Sequence, residues 1–231
     1  VAVVGRILEN AGYRVGIIGQ PDITSDVDIK RLGEPRLFWG VSGGSVDSMV
    51  SNYTATKKFR SDDDYTPGGK NTKRPDRASL VYTNLIRRYF KETVPIVLGG
   101  IEASLRRVSH YDFWSNKIRK PIIFDAKADY LIYGMADKSV VEFADALKSD
   151  IAPHHVRGLS YISKEPRSDY LQLPSHEEVL HDKHKFIDMF DLFYHNNDPI
   201  SAQGLCQKVD SRYLIQNPPS MYLDTHELDA V

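Results

Sequence analysis

The 231 residues carry 30 Lys+Arg against 31 Asp+Glu, a net charge of −1, with 41% hydrophobic and 26% charged residues. That balance excludes a disordered chain and a globally basic nucleic-acid binder, and no window reaches the ~18 consecutive apolar residues of a membrane span. The single cysteine, Cys206, excludes an intramolecular disulfide and any cluster or zinc site built from several thiolates within this sequence.

Ala2, Val3, Ile7, Leu8 and Ala11 recur at helical spacing, and Gly12 falls where a left-handed residue would end the helix. Arg14-Val15-Gly16-Ile17-Ile18-Gly19 is short, apolar and bounded by Gly and Pro, the pattern of a buried strand. A helix that feeds directly into a buried parallel strand forms the second half of a β-α-β unit, so a strand ahead of Val1 is expected. The first residues lack a basic stretch followed by an apolar leader, which points to a cytoplasmic protein.

The alternation continues. Asp26 to Leu32 reads as a short helix, Arg36 to Val41 as a strand, and Ser45 to Tyr53 as a helix. A polar loop from about Lys57 to Asp76 is longer than the usual connection and so is functional or mobile. Arg77 to Phe90 is amphipathic, Pro95 to Gly100 and Tyr130 to Tyr133 are strands, and Ser139 to Leu147 is a helix. Strands spaced by helices over residues 1–150 predict an α/β fold: a Rossmann-like or flavodoxin-like, mostly parallel sheet with helices on both faces.

Residues 151–196 predict an edge strand at Gly158 to Ile162, an extended stretch at Asp169 to Pro174, and a long helix as a C-terminal appendage. Ser175 with Glu178 makes a capping box that opens this helix, which runs to about Asn196. Residues 197–231 contain Asn217-Pro218-Pro219 and read as a linker, ending in an unfinished helical turn at His226 to Val231.

In open parallel sheets ligands bind beyond the carboxyl ends of the strands. Four such ends carry small or polar loops here: 19–22, 42–45, 99–102 and 134–137. The candidate contacts are Ser42, Gly43, Gly44, Ser45, Gly99, Gly100, Glu102 and Gly134. The same glycines would also serve tight strand-to-helix turns. Neither dinucleotide nor P-loop fingerprint is present. Arg106 and Arg107 are candidates to clamp an anion or simply to pair with acids. His110 beside them is a candidate acid–base residue, although a lone histidine is more often a hydrogen-bonded structural residue.

No residue stands out as catalytic. His176, His181, His184 and His195 lie on or beside the last long helix, where a solvated charged face explains them better than a metal site. In the loop, Lys57, Lys58, Arg60, Lys70, Lys73, Arg74 and Arg77 flank Asp62-Asp63-Asp64. The mixed signs favour a self-neutralising loop over a nucleic-acid stripe.

Longer strings point to a family. Trp39-Gly40-Val41-Ser42, Asp47-Ser48-Met49-Val50, Tyr53-Thr54-Ala55, Tyr65-Thr66-Pro67-Gly68-Gly69, Arg74-Pro75-Asp76-Arg77 and Val97 through Arg107 resemble the YgiQ-type radical SAM proteins, an uncharacterised family. So do His110-Tyr111-Asp112, Asp125-Ala126-Lys127-Ala128-Asp129 and Gln216-Asn217-Pro218-Pro219. The resemblance implies an N-terminal region similar to cobalamin-binding domains, followed beyond Val231 by a radical SAM domain with a C-x-x-x-C-x-x-C motif. It also implies a 4Fe-4S cluster and S-adenosylmethionine in the complete protein, with cobalamin as a candidate ligand. The small-molecule substrate is left unnamed.

Two departures bear on cobalamin. The first strand and its loop, where cobalamin domains carry a D-x-H-x-x-G motif, are expected ahead of Val1, so this sequence does not speak to the lower ligand of cobalt. Gly134-Met135-Ala136-Asp137 stands where relatives carry G-x-G-E, Asp137 keeping the charge with a shorter reach. The competing expectation is a non-catalytic module that holds an anionic partner such as RNA or a nucleotide through loop 57–77, Arg106 and Arg107.

Overall fold

Apolar side chains alternate along the short strands, and that alternation divides the core in two. In the computed structural model, which describes residues 1–229, Ile96 and Leu98 point to one face of the sheet and Val97 to the other. The first half runs α1 (Ala2–Asn10), α2 (Val27–Lys30), β1 (Trp39–Ser42), α3 (Ser48–Asn52), α4 (Ala78–Tyr89), β2 (Ile96–Gly99) and α5 (Gly100–Ser104). A small hairpin, β3 (His110–Asp112) and β4 (Lys117–Arg119), precedes α6 (Ile122–Asp125), β5 (Tyr130–Ile132) and α7 (Asp137–Lys148). The second half adds β6 (Leu159–Ser163), β7 (Leu171–Leu173), α8 (His176–His181), α9 (Lys183–His195), β8 (Leu205–Val209), β9 (Arg212–Gln216) and α10 (Thr225–Asp229).

The main sheet has seven strands in the order β1-β2-β5-β6-β9-β8-β7. β1, β2 and β5 are parallel, with Trp39 opposite Ile96 and Val97 opposite Tyr130, so the strands expected near 36–41 and 95–99 are neighbours in one parallel sheet. β6 joins β5 antiparallel, β9 joins β6 antiparallel, β8 joins β9 antiparallel, and β7 pairs parallel with β8. Two reversals return β9 to the direction of β1, β2 and β5. Four strands therefore end at one edge.

Helices cover both faces, as an α/β sheet with apolar strands requires. Leu8 of α1 with Val140, Phe143 and Ala144 of α7 packs on one face. On the other lie Leu85 and Ile86 of α4, Ile122 and Ile123 of α6, Val179 of α8 and Met189 of α9.

Four expectations are corrected. Arg14 to Gly19 forms no strand: it makes no ladder with β1, and Ile17 is exposed, because apolar composition alone gives a segment no pairing partner. The strand near 158–162 is not at the edge but central, with its backbone bonded on both sides by β5 and β9. The long helix of 175–196 is two helices. Asp182 between them is extended (φ −128°, ψ 115°), and its carboxylate accepts from His184 N at 2.8 Å, so it caps α9 instead of continuing α8. The predicted capping box of Ser175 and Glu178 is present at the start of α8.

The fourth correction concerns the expected linker after Asn197, which instead supplies β8 and β9, a hairpin that packs Leu205, Cys206, Leu214 and Ile215 into the two cores. Asp210, with φ +52°, makes the two-residue turn. The terminal helical turn is α10; Ala230 and Val231 lie outside the described residues.

Candidate functional site at the carboxyl edge of the sheet

The shared edge gathers Ser42-Gly43-Gly44-Ser45 after β1, Gly99-Gly100 after β2, Tyr133-Gly134 after β5, and Asn217-Pro218-Pro219 after β9. Three of the four loops expected from the sequence are thus brought together, and a fourth strand end joins them. Loop 19–22 is instead tied to the long loop, with Gln20 Nε2 donating to Thr66 Oγ1 at 2.7 Å.

Glu102 is the hub of this edge. It is 2% exposed, and its two carboxylate oxygens accept from Ser48 N and Ser79 N at 2.8 Å each. Those amides open α3 and α4, where unpaired N–H groups and the helix dipoles favour negative charge. A Cβ on Gly43 would lie 2.6 Å from Glu102 Oε2, and one on Gly100 (φ +80°) would lie 2.6 Å from Ser42 Oγ. These two glycines make room for the protein's own side chains. Gly44 and Gly134, by contrast, face open space.

Beside Glu102 is a narrow cleft lined by Arg77, Arg106, His110, Asp112, Arg119 and Asp125, with an enclosed volume of ≈ 10 Å³, about that of one water. Its charges pair internally. Arg77 meets Asp112 at 2.7 Å, Arg119 meets Asp125 at 2.8 Å, and Arg106 pairs with Asp47 while donating to Glu102 O at 3.0 Å. Asp47 also caps α3 by accepting from Met49 N and Val50 N. Asp112 is pulled down to about 2: burial opposes the shift, but hydrogen bonds from Ser115 and Arg77 outweigh it.

His110 Nδ1 donates to Val108 O at 3.2 Å, and burial pushes the pKa of the ring down to about 4. It is neutral at neutral pH and adds no charge to an anion clamp.

Arg107 is not in the cleft. It turns toward α9 and β9, where its guanidinium lies 4.6 Å from the Tyr133 ring and 4.3 Å from the Phe193 ring. It donates to Ser104 O (2.6 Å), Asn197 Oδ1 (2.6 Å) and Gln216 Oε1 (3.1 Å), all neutral acceptors, and burial lowers its pKa to about 10. Arg106, Arg107 and His110 therefore do not converge on one anion. Arg107 joins the two halves of the sheet.

The open part of the edge lies beyond Gly134. There Met135, Leu105 and Ile101 are exposed, and Asp137 at the start of α7 is buried with Oδ2 lacking a hydrogen-bond partner. In the sequence Asp137 stands out only as the residue in place of the family's glutamate; its position on the first turn after β5 brings its backbone to this edge. Among the described residues, no three His, Cys, Asp or Glu side chains gather as a metal site. His181 bonds to Glu177 O within its own helix, while His176 is buried against Ser109 Oγ at 3.0 Å. No helix among those residues is long and apolar enough to cross a membrane.

A family model described as Radical SAM N-terminal matches residues 1–231. A UPF0313 protein of Fusobacterium nucleatum subsp. nucleatum is 59% identical over 99% of this chain and 40% of its own length. UPF0313 proteins of Thermotoga neapolitana and Methanocella arvoryzae are 51% and 48% identical over the whole chain, covering 41% and 39% of their own lengths. The chain thus spans about two fifths of the length of the curated relatives it matches. No solved structure matches it.

Proposed function

Because the chain belongs to the radical SAM N-terminal family, we propose that it is the N-terminal platform of a cytoplasmic enzyme that cleaves S-adenosylmethionine reductively. The 4Fe-4S cluster for that chemistry would be carried by another part of the same protein. The observation that carries this reading is the family match along all 231 residues of a chain with a single cysteine. A 4Fe-4S cluster needs several thiolates, and Cys206 is buried in β8 opposite Ile215 of β9. These residues do not fit a cluster.

Cobalamin is not supported at the paired glycines. Glu102 and Ser42 fill the space at Gly43 and Gly100 that a macrocycle would need. The open part of the edge, with Gly44, Gly134 and the exposed Leu105 and Met135, suits the docking of a downstream radical SAM domain and its small-molecule substrate. The main chain leaving β9 crosses the same edge, held by Gly158 N to Pro218 O and by Arg157 Nε to Pro219 O, both at 2.8 Å.

Anaerobic reconstitution with iron and sulfide tests the reading. The full-length protein should develop a 4Fe-4S absorbance band and consume S-adenosylmethionine under a strong reductant, and residues 1–231 alone should do neither. A cluster on residues 1–231, or none on the full-length protein, would overturn it.

A further inference from the structure

The long loop between α3 and α4 buries one ion pair and leaves more cations than anions on its surface. Asp63 is buried, paired with Arg74 at 2.8 Å, and bonded by Thr66 Oγ1 and by Tyr65 N at 3.1 Å. Asp76 accepts from Asn52 Nδ2 and Tyr53 Oη, both at 2.8 Å. What remains exposed is Lys57, Lys58, Arg60, Lys70 and Lys73 against Asp62 and Asp64, five cations facing two anions. Asp63 is buried together with Arg74, one charge of each sign, so the exposed residues of this stretch keep an excess of five cations over two anions.

Aromatic rings stand among these cations. Phe59 (58% exposed), Tyr65 (58%) and Phe113 (47%) present ring surface to solvent. Phe59 and Phe113 belong to a connected group: Tyr53 packs 5.6 Å from Phe59 and 5.3 Å from Trp114, and Trp114 packs 5.3 Å from Phe113. Tyr65 stands apart, with the Arg74 guanidinium 5.9 Å from its ring. Lys57 Nζ binds the group together, 4.6 Å from the Phe113 ring and 3.0 Å from Phe113 O. The rings are therefore held in place by the loop and the β3–β4 hairpin.

Lys57 is engaged by Phe113 and the Arg60 Nε donates to Tyr53 O, while Lys58, Lys70 and Lys73 stay exposed. Exposed rings at fixed positions among such cations match one polymer chemistry. Bases stack on the rings while phosphates meet the lysines and the arginine, and the combination needs unpaired bases. We infer that the surface formed by loop 57–73 and the tip of the β3–β4 hairpin binds single-stranded nucleic acid. This goes beyond the radical SAM reading and rests on none of its cofactors.

The test is fluorescence anisotropy of the intact protein with a labelled single-stranded RNA of about 15 nucleotides, the same sequence as DNA, and the duplex form. Single strands should bind at least about tenfold tighter than duplex, with affinity falling as salt rises, at a log–log slope of about −0.7 per phosphate engaged. The RNA and DNA arms identify which strand the surface prefers, and either preference supports the inference.

Phe59→Ala with Phe113→Ala should weaken single-strand binding about tenfold or more while leaving the salt slope unchanged. Lys58→Glu with Arg60→Glu should flatten that slope. All four side chains are exposed, and unchanged melting temperatures would show that the variants fold. Equal affinity for duplex, competition by heparin with no effect of the ring variants, or no binding at all would overturn the inference. None of these readouts involves the cluster, so their failure leaves the radical SAM reading standing.

Discussion

Glu102 and Gly43 share one space: a Cβ on Gly43 would sit 2.6 Å from Glu102 Oε2 and 3.2 Å from Glu102 Cβ. The carboxylate cannot swing away freely, because its two oxygens hold the first turns of α3 and α4 through Ser48 N and Ser79 N. Gly43 is thus the cost of seating one buried anion at the start of two helices.

Gly43→Ala should therefore destabilise the fold by about 1–3 kcal/mol, the usual penalty for overpacking a filled site. Glu102→Gln should cost about 2 kcal/mol, since an amide can satisfy only one of the two N–H groups with its oxygen and sets a donor against the other. The two changes should not add. In a Glu102→Ala background the clash with the carboxylate is gone, so the Gly43→Ala penalty should fall to well under half its value. Urea midpoints of the four proteins check this, and strict additivity would show that the carboxylate is not what Gly43 accommodates.

Much of the fold was legible because it is local. The alternation of Ile96, Val97 and Leu98 and the periodicity of α4 place strand and helix without reference to the rest of the chain. The hairpin of β8 and β9 was hidden by Gln207 and Gln216, polar residues in what would otherwise be apolar runs. Both are fully buried, and Gln207 accepts from Ser109 N and donates to Pro174 O, partners 98 and 33 residues away. Asp210-Ser211, a two-residue turn between runs rich in β-formers, was the available signal.

The candidate site was legible as a set of strand ends and illegible as chemistry. Glycine loops could be placed at one edge, but what fills them depends on long-range contacts: Glu102 reaches Ser48, 54 residues distant. Arg106 and Arg107 are adjacent in sequence and read as one clamp. Successive residues after a short helix diverge, however, and each finds its own partners, Asp47 for one and Ser104, Asn197 and Gln216 for the other.

Acid should destabilise the protein in two steps. Burial lowers His110 from 6.5 to about 4, the Val108 carbonyl working against the shift and Arg106 with it. Below its ordinary value the unfolded chain gains a proton that the native histidine refuses, so stability is lost as pH falls from 6.5 toward about 4. His176 and His154, also lowered by burial, act in the same direction. Asp112, held down at about 2, gives up its contribution only below 3.8. Between pH 7 and pH 5, His110 accounts for roughly 2 kcal/mol. His110→Gln should reduce the loss of urea stability over that interval by about this amount, and an unchanged loss would remove His110 as its source.

Cys206 should prove irrelevant to the cluster and relevant to the fold. It lies in β8 opposite Ile215, 1% exposed, and burial pushes its thiol above the ordinary 9. A cluster ligand must be a thiolate within reach of iron, and this sulfur is neither deprotonated nor accessible. Cys206→Ser puts a hydroxyl into an apolar pocket at a cost of about 1–2 kcal/mol. The expected result on the full-length protein is a lower melting temperature, with the iron content and 4Fe-4S absorbance after anaerobic reconstitution both unchanged. Loss of iron from a variant that still melts cooperatively would mean that the sheet opens enough to deliver Cys206 to the cluster, and the platform reading would have to give way to a shared site.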